Sequence, residues 1–106
     1  MRRVLRCDGL LPNCFDEEGK FRPSTPDDIR AMLQWLEQNG GVRPGFDVVM
    51  EGETPGDDKG ASADAVKPFA EAGCTWWLES RWMLEGDPAD TRRAVRDRIE
   101  AGPPSE

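Results

Sequence analysis

Apolar residues recur along this chain in two alternating rhythms, continuous bursts and stripes spaced three and four residues apart. Continuous bursts suit strands buried on both faces, and the three-four stripe suits one face of a helix. Val4, Leu5, Leu10 and Leu11, placed around Asp8-Gly9, predict a first strand over 4–11, with the glycine marking a bulge or a close approach, and Pro12-Asn13 ends it. Cys14 to Ser24 is rich in Asp, Glu, Gly and Pro. It exceeds the usual βα connection of about two to six residues, so it reads as functional or mobile. Thr25-Pro26-Asp27-Asp28 is a helix start, with a Thr cap, Pro at the first helical position and acids at the positive end of the helix dipole. Ile29, Met32, Leu33 and Leu36 then share one face of a helix over 26–39, which Asn39-Gly40-Gly41 stops.

Phe46 to Met50 predicts a second strand, leaving through the polar stretch Glu51-Gly52-Glu53-Thr54-Pro55-Gly56. A flexible acidic segment, 57–60, leads to a helix over 62–72 that carries Pro68 inside it. That proline implies a kink or a later start, because proline costs about 3 kcal/mol in a helix interior. Gly73 is placed to end this helix in a left-handed conformation. The burst Thr75-Trp76-Trp77-Leu78 predicts the third strand, over 75–78. Its tryptophans point to opposite faces, and both suit core packing better than cofactor stacking. Asp87-Pro88-Ala89-Asp90 repeats the helix-start signal. The helix it opens, over 88–101, has only a thin stripe of Ala94 or Val95, Arg98 and Ile99 before Gly102-Pro103-Pro104.

The order is β-α-β-α-β-α. The fold class is α/β: three consecutive βα units with parallel strands joined by right-handed crossovers, read as a single partial domain over 1–106. Three units leave both edge strands apolar and partly bare, so an oligomer or a missing N-terminal segment would have to supply the rest. Polar residues just past a strand's C-terminal end lie where α/β proteins bind ligands. That makes Glu79, Ser80 and Arg81 candidate site residues.

Charge and composition narrow the partners. Asp and Glu number 21 against 14 Lys and Arg, a formal net charge of -7, which argues against nucleic acid. No apolar run approaches the roughly 18 to 20 residues needed to cross a bilayer, and no signal segment follows Met1. A cytoplasmic location is therefore expected, with no membrane partner. The chain has three cysteines and no histidine. The cysteines form no disulfide framework or C-x-x-C pair and read as small buried apolar residues. The lack of histidine removes the usual zinc ligand and catalytic base, so no metal site is expected.

Four segments together resemble the C-terminal part of the luciferase-like flavin-dependent monooxygenases, which are TIM-barrel proteins. They are Arg6-Cys7-Asp8-Gly9-Leu10-Leu11-Pro12, Phe46 to Pro55, Glu71 to Ser80, and Arg98-Ile99-Glu100-Ala101-Gly102-Pro103-Pro104. Taken in order they span nearly the whole chain. The resemblance implies the last three units of a (β/α)8 barrel and an oxidoreductase or monooxygenase whose cofactor, FMN or the deazaflavin F420, lies at the barrel mouth. A small organic substrate would complete the partners. By that carry-over Glu51, Gly52 and Thr54, then Glu79, Ser80 and Arg81, would lie near the cofactor phosphate or ribityl chain, with Asp8 and Gly9 by strand six. It implies no catalytic residue.

Each of these residues also has a plainer reading. Gly52 and Thr54 are donors to a phosphate or an ordinary turn. Arg81, read as the only cation in that exit, is a bidentate phosphate ligand or a solvated arginine. The alternative for the whole chain is a non-catalytic truncated βα fragment or assembly module that oligomerises through open sheet edges.

Overall fold

The computed structural model of the chain describes residues 2–81 and 84–104. Its elements are a 3-10 turn at Arg2–Arg6, then β1 (Gly9–Leu10), β2 (Cys14–Phe15), β3 (Phe21–Arg22), α1 (Pro26–Gln38), β4 (Asp47–Gly52), α2 (Lys59–Ala72), β5 (Trp76–Glu79) and α3 (Pro88–Ala101). The arrangement is mixed α/β, with three helices and a parallel sheet in the order β1-β4-β5. Chain order and sheet order coincide, as the three βα units imply.

Two expectations at the N-terminal end are corrected. The strand placed over 4–11 shrinks to Gly9–Leu10, because Val4 and Leu5 lie in the 3-10 turn that Cys7 closes by donating to the Val4 carbonyl at 2.9 Å. Gly9 does mark a close approach, since a Cβ there would stand 2.8 Å from the Asp47 carbonyl oxygen. The connection 14–24 holds an antiparallel hairpin, β2 with β3. Its turn is built on Asp16, whose carboxylate accepts the Glu18 and Lys20 amides at 2.9 Å each, the Asx-turn device.

The helix starts form as their residues dictate. The Thr25 hydroxyl accepts from the Asp28 amide while the Asp28 carboxylate accepts from the Thr25 amide at 2.8 Å, closing a capping box. Asp58 and Asp87 cap α2 and α3 in the same sense. Pro68 neither stops α2 nor delays its start, as α2 begins at Lys59 and continues to Ala72. Gly73 takes the left-handed C-cap at φ 118°, and a Cβ there would also stand 2.5 Å from Leu33 on α1. Backbone conformation and helix-helix contact thus make the same demand for glycine.

The core lies on one face of the sheet. Ile29 of α1, Val48 and Met50 of β4, and Ala72 of α2 form its buried cluster, flanked by Leu33, Phe46, Phe69, Cys74 and Trp77. Ile29 is 0% exposed. Parallel register puts Val49 beside Trp76 and Glu51 beside Leu78 on the opposite face. There Trp76 is 59% exposed and Leu78 44%. The radius of gyration, 15.8 Å, exceeds the roughly 13 Å of a compact domain of this length. The thinnest dimension, 21 Å, suits one sheet and one helix layer about 10 to 12 Å thick.

Cysteine placement also departs in part from expectation. Cys14 is buried and Cys74 half-buried, but Cys7 is exposed. Burial pushes the Cys74 thiol pKa up, which disfavours a thiolate nucleophile there. No described helix is long and apolar enough to cross a membrane.

Candidate functional site

β4 and β5 stay paired to their C-terminal ends. Thr75 extends the ladder at one end by donating its amide to the Val48 carbonyl at 2.9 Å, and Ser80 at the other by donating to the Gly52 carbonyl at 2.8 Å. This pairing fixes the two polar exits side by side. Within β5, Trp77 and Glu79 share the helix-covered face, whereas Trp76 and Leu78 do not.

Five donors converge on the Glu79 carboxylate. The Thr54 amide reaches Oε1 at 2.7 Å and the Thr54 hydroxyl reaches Oε2 at 2.7 Å. Trp77 Nε1 and Arg98 Nη2 reach Oε2 at 3.2 and 3.3 Å. Arg81 Nη2 stands 3.3 Å from Oε1. The two arginines also bind the Thr54 corner directly, Arg98 Nη2 donating to its hydroxyl oxygen at 2.8 Å and Arg81 Nη2 to its carbonyl at 2.9 Å. Outside this cluster, Glu53 lies 3.8 Å from Arg81.

Burial opposes ionisation of Glu79, but the bonds from the Thr54 amide and hydroxyl, Trp77 and Arg98 outweigh it and hold its pKa below the ordinary carboxylate value. Near neutral pH the group is an anion with its lone pairs engaged. It is poorly suited to general acid or base work.

The six candidate residues therefore divide. Thr54, Glu79 and Arg81 come together in one network. Gly52 adjoins it in a packing role, because a Cβ there would stand 2.6 Å from the Trp77 ring. The Ser80 hydroxyl has only a long contact with the Leu78 carbonyl, at 3.5 Å. Glu51 lies in register with Leu78, on the face opposite Glu79.

Two members of the network are absent from the sequence-derived set. Arg98, assigned there to the thin apolar stripe of α3, is the buried residue of that helix, while Ile99 beside it is 72% exposed. Arg81 is accordingly not the only cation at this exit. The signal available in the sequence was an arginine standing at a stripe position of an amphipathic helix, where an aliphatic residue is normal. Of the two tryptophans expected in the core, Trp77 packs there and Trp76, on the other face, does not; the Trp77 indole N–H adds the hydrogen bond that a buried tryptophan seeks.

A groove of about 580 Å³ runs beside the network, lined by Val66, Trp77, Val95, Ile99 and Pro103 along its apolar wall, with Arg98 and Glu79 at its polar end. The described residues contain no cluster of three or more His, Cys, Asp or Glu able to hold a metal ion. Comparison with protein-family models, curated proteins and solved structures finds no match for this chain.

Proposed function

We propose that the chain is the C-terminal wall of a flavin-dependent oxidoreductase barrel, the last three units of a (β/α)8 fold, contributing to the mouth that holds the phosphate of FMN or F420. The observation that carries this reading is the one-sided sheet. Its three parallel strands follow chain order, α1 and α2 cover one face, and apolar Trp76 and Leu78 stand bare on the other. A barrel wall has that form: helices outside, side chains inside, and each strand beside its sequence neighbour.

The strand exits have the chemistry for an anion. An amide, a hydroxyl and two guanidinium groups meet at Thr54. Glu79 currently takes these donors, so a phosphate would bind beside the network through Arg81 and the Ser80 hydroxyl, or would displace the carboxylate. The flavin would supply the redox chemistry, and this chain's part would be to orient it.

Fluorescence titration of the chain with FMN and with F420 tests the reading. A saturable change that Arg81→Ala weakens is expected, and no change with either cofactor would count against it.

Among the described residues β1 and β5 each pair on one side only, which favours a second reading, an assembly module that pairs through these edges. Native mass spectrometry separates the two. Multiples of 11.8 kDa without flavin binding favour assembly, and a monomer removes it.

A further inference from the structure

α3 is attached to the sheet by different means from the other helices. Of its 14 residues Arg98 alone is buried, at 9% exposure. Val95 and Ile99, its larger apolar side chains, are exposed along the open groove. What holds the helix is the Arg98 guanidinium on Thr54 and Glu79, with its stem laid over Gly56, where a Cβ would stand 2.8 Å from Arg98 Cδ. Even this attachment is imperfect. Arg98 Nε and Arg81 Nε are both buried with no hydrogen-bond partner among the described residues, and an unsatisfied buried donor weighs against the docked state.

The helix meanwhile carries its own end contacts. Asp87 accepts from the Asp90 amide at 2.9 Å, and Arg98 Nη1 donates to the Gly102 carbonyl at 2.6 Å. Neither contact binds α3 to the sheet.

We infer that α3 is a releasable latch, set by the ionised Glu79 carboxylate and freed when that charge is removed, so that Trp77, Glu79 and Arg81 are uncovered while the α1-α2-β4 core stays folded. The groups facing Glu79 can be named element by element. Among the described residues they are Thr54 after β4, Trp77 on β5, Arg81 beyond it and Arg98 on α3. Glu53 reaches the cluster only through Arg81. On the α2 side the groove is lined by uncharged Val66. Protonation of Glu79 therefore removes the one carboxylate that Arg98 contacts among the described residues. Since the Glu79 pKa is lowered on folding, the latch is fully set above the ordinary value of 4.5 and opens as pH falls through the lower one.

Amide hydrogen exchange on the whole chain, expressed as protection factors, tests this. As pH is lowered from 7 until the Glu79 carboxylate takes up its proton, the protection of 88–101 should fall by about tenfold more than that of β4, as expected of a separate local opening. Glu79→Gln should bring about the same selective loss at pH 7. The proposal is overturned if α3 and β4 lose protection together, whether with pH or in Glu79→Gln, since α3 would then belong to the cooperative core. It is overturned equally if α3 in Glu79→Gln keeps wild-type protection at pH 7.

Discussion

Two helices are fastened to this sheet by opposite physics. α1 lays Ile29 into the cluster with Val48, Met50 and Ala72 and buries Leu36 as well. α3 buries a guanidinium and leaves Ile99 in solvent. The first attachment draws on the removal of apolar surface from water, about 25 cal/mol per Å², and does not depend on pH or on one partner's charge. The second exchanges the hydration of Arg98 and Glu79 for contacts between them. That exchange gains little overall, but it makes each partner costly to remove alone. The apolar attachment therefore resists small changes in conditions, whereas the ionic one depends on a single proton.

The difference can be broken from either side. Ile29→Ala should have the largest effect, about 3 kcal/mol lost through transfer and cavity formation. A lower denaturant midpoint should appear for the whole chain in one transition. Arg98→Ala should cost about 2 kcal/mol, below the 3 to 5 typical of a broken buried pair, because Arg81 still stands 3.3 Å from the stranded carboxylate. Its loss should be local. Far-UV circular dichroism should report part of the helix signal gone while Ile29 and Val48 amides stay protected. Equal global destabilisation by the two substitutions would erase the contrast.

Gly52→Ala probes the seam between the two regions, since a Cβ would stand 2.6 Å from the Trp77 ring. Trp77 packs on Phe69 of α2 with ring centroids 5.5 Å apart and also donates to Glu79. Displacing the indole should cost about 1.5 kcal/mol as overpacking. Near-ultraviolet circular dichroism should show the change in the tryptophan environment.

What the sequence disclosed follows the same division. The α1 stripe, the Thr25 and Asp87 starts, Gly73 as a left-handed cap and the parallel β4-β5 pair were legible because each is local or periodic. The 4–11 strand was overread. Only Gly9 and Leu10 find partners on β4, and no local pattern states how far a neighbouring strand extends. The hairpin within 14–24 was missed because its strands are two residues each and its exposed Phe15-Phe21 pair sits among polar residues. Thr54, Glu79 and Arg81 could be grouped because strand exits are adjacent in any parallel sheet. Arg98 could not, because its partner Thr54 lies 44 positions away and an arginine at a stripe position, though unusual, names no partner.

The smallest expected effect lies at the start of α1 and tests whether polar contacts in the core region resemble those at α3. The Thr25 hydroxyl accepts from the Asp28 amide at 3.2 Å, while the Asp28 carboxylate receives the Thr25 amide at 2.8 Å and both terminal nitrogens of Arg22 at 2.7 and 3.0 Å. Thr25→Ala removes the hydroxyl together with the γ-methyl group. The cost should be about 0.5 to 1 kcal/mol, at the low end for a lost cap, because the carboxylate half of the box survives. Arg22 first, and then the Thr25 contacts, hold the Asp28 pKa far below its ordinary 3.8. A lowered carboxylate pKa gives stability that is present above the ordinary value and lost only as pH falls through the lowered one. Between pH 7 and pH 4 the Thr25→Ala deficit, read by urea unfolding, should therefore stay constant. A deficit that shrank as soon as pH dropped below 5 would mean that the α1 cap shares the acid sensitivity assigned to α3, and that burial of Ile29 and Leu36 does not shield this end of the fold.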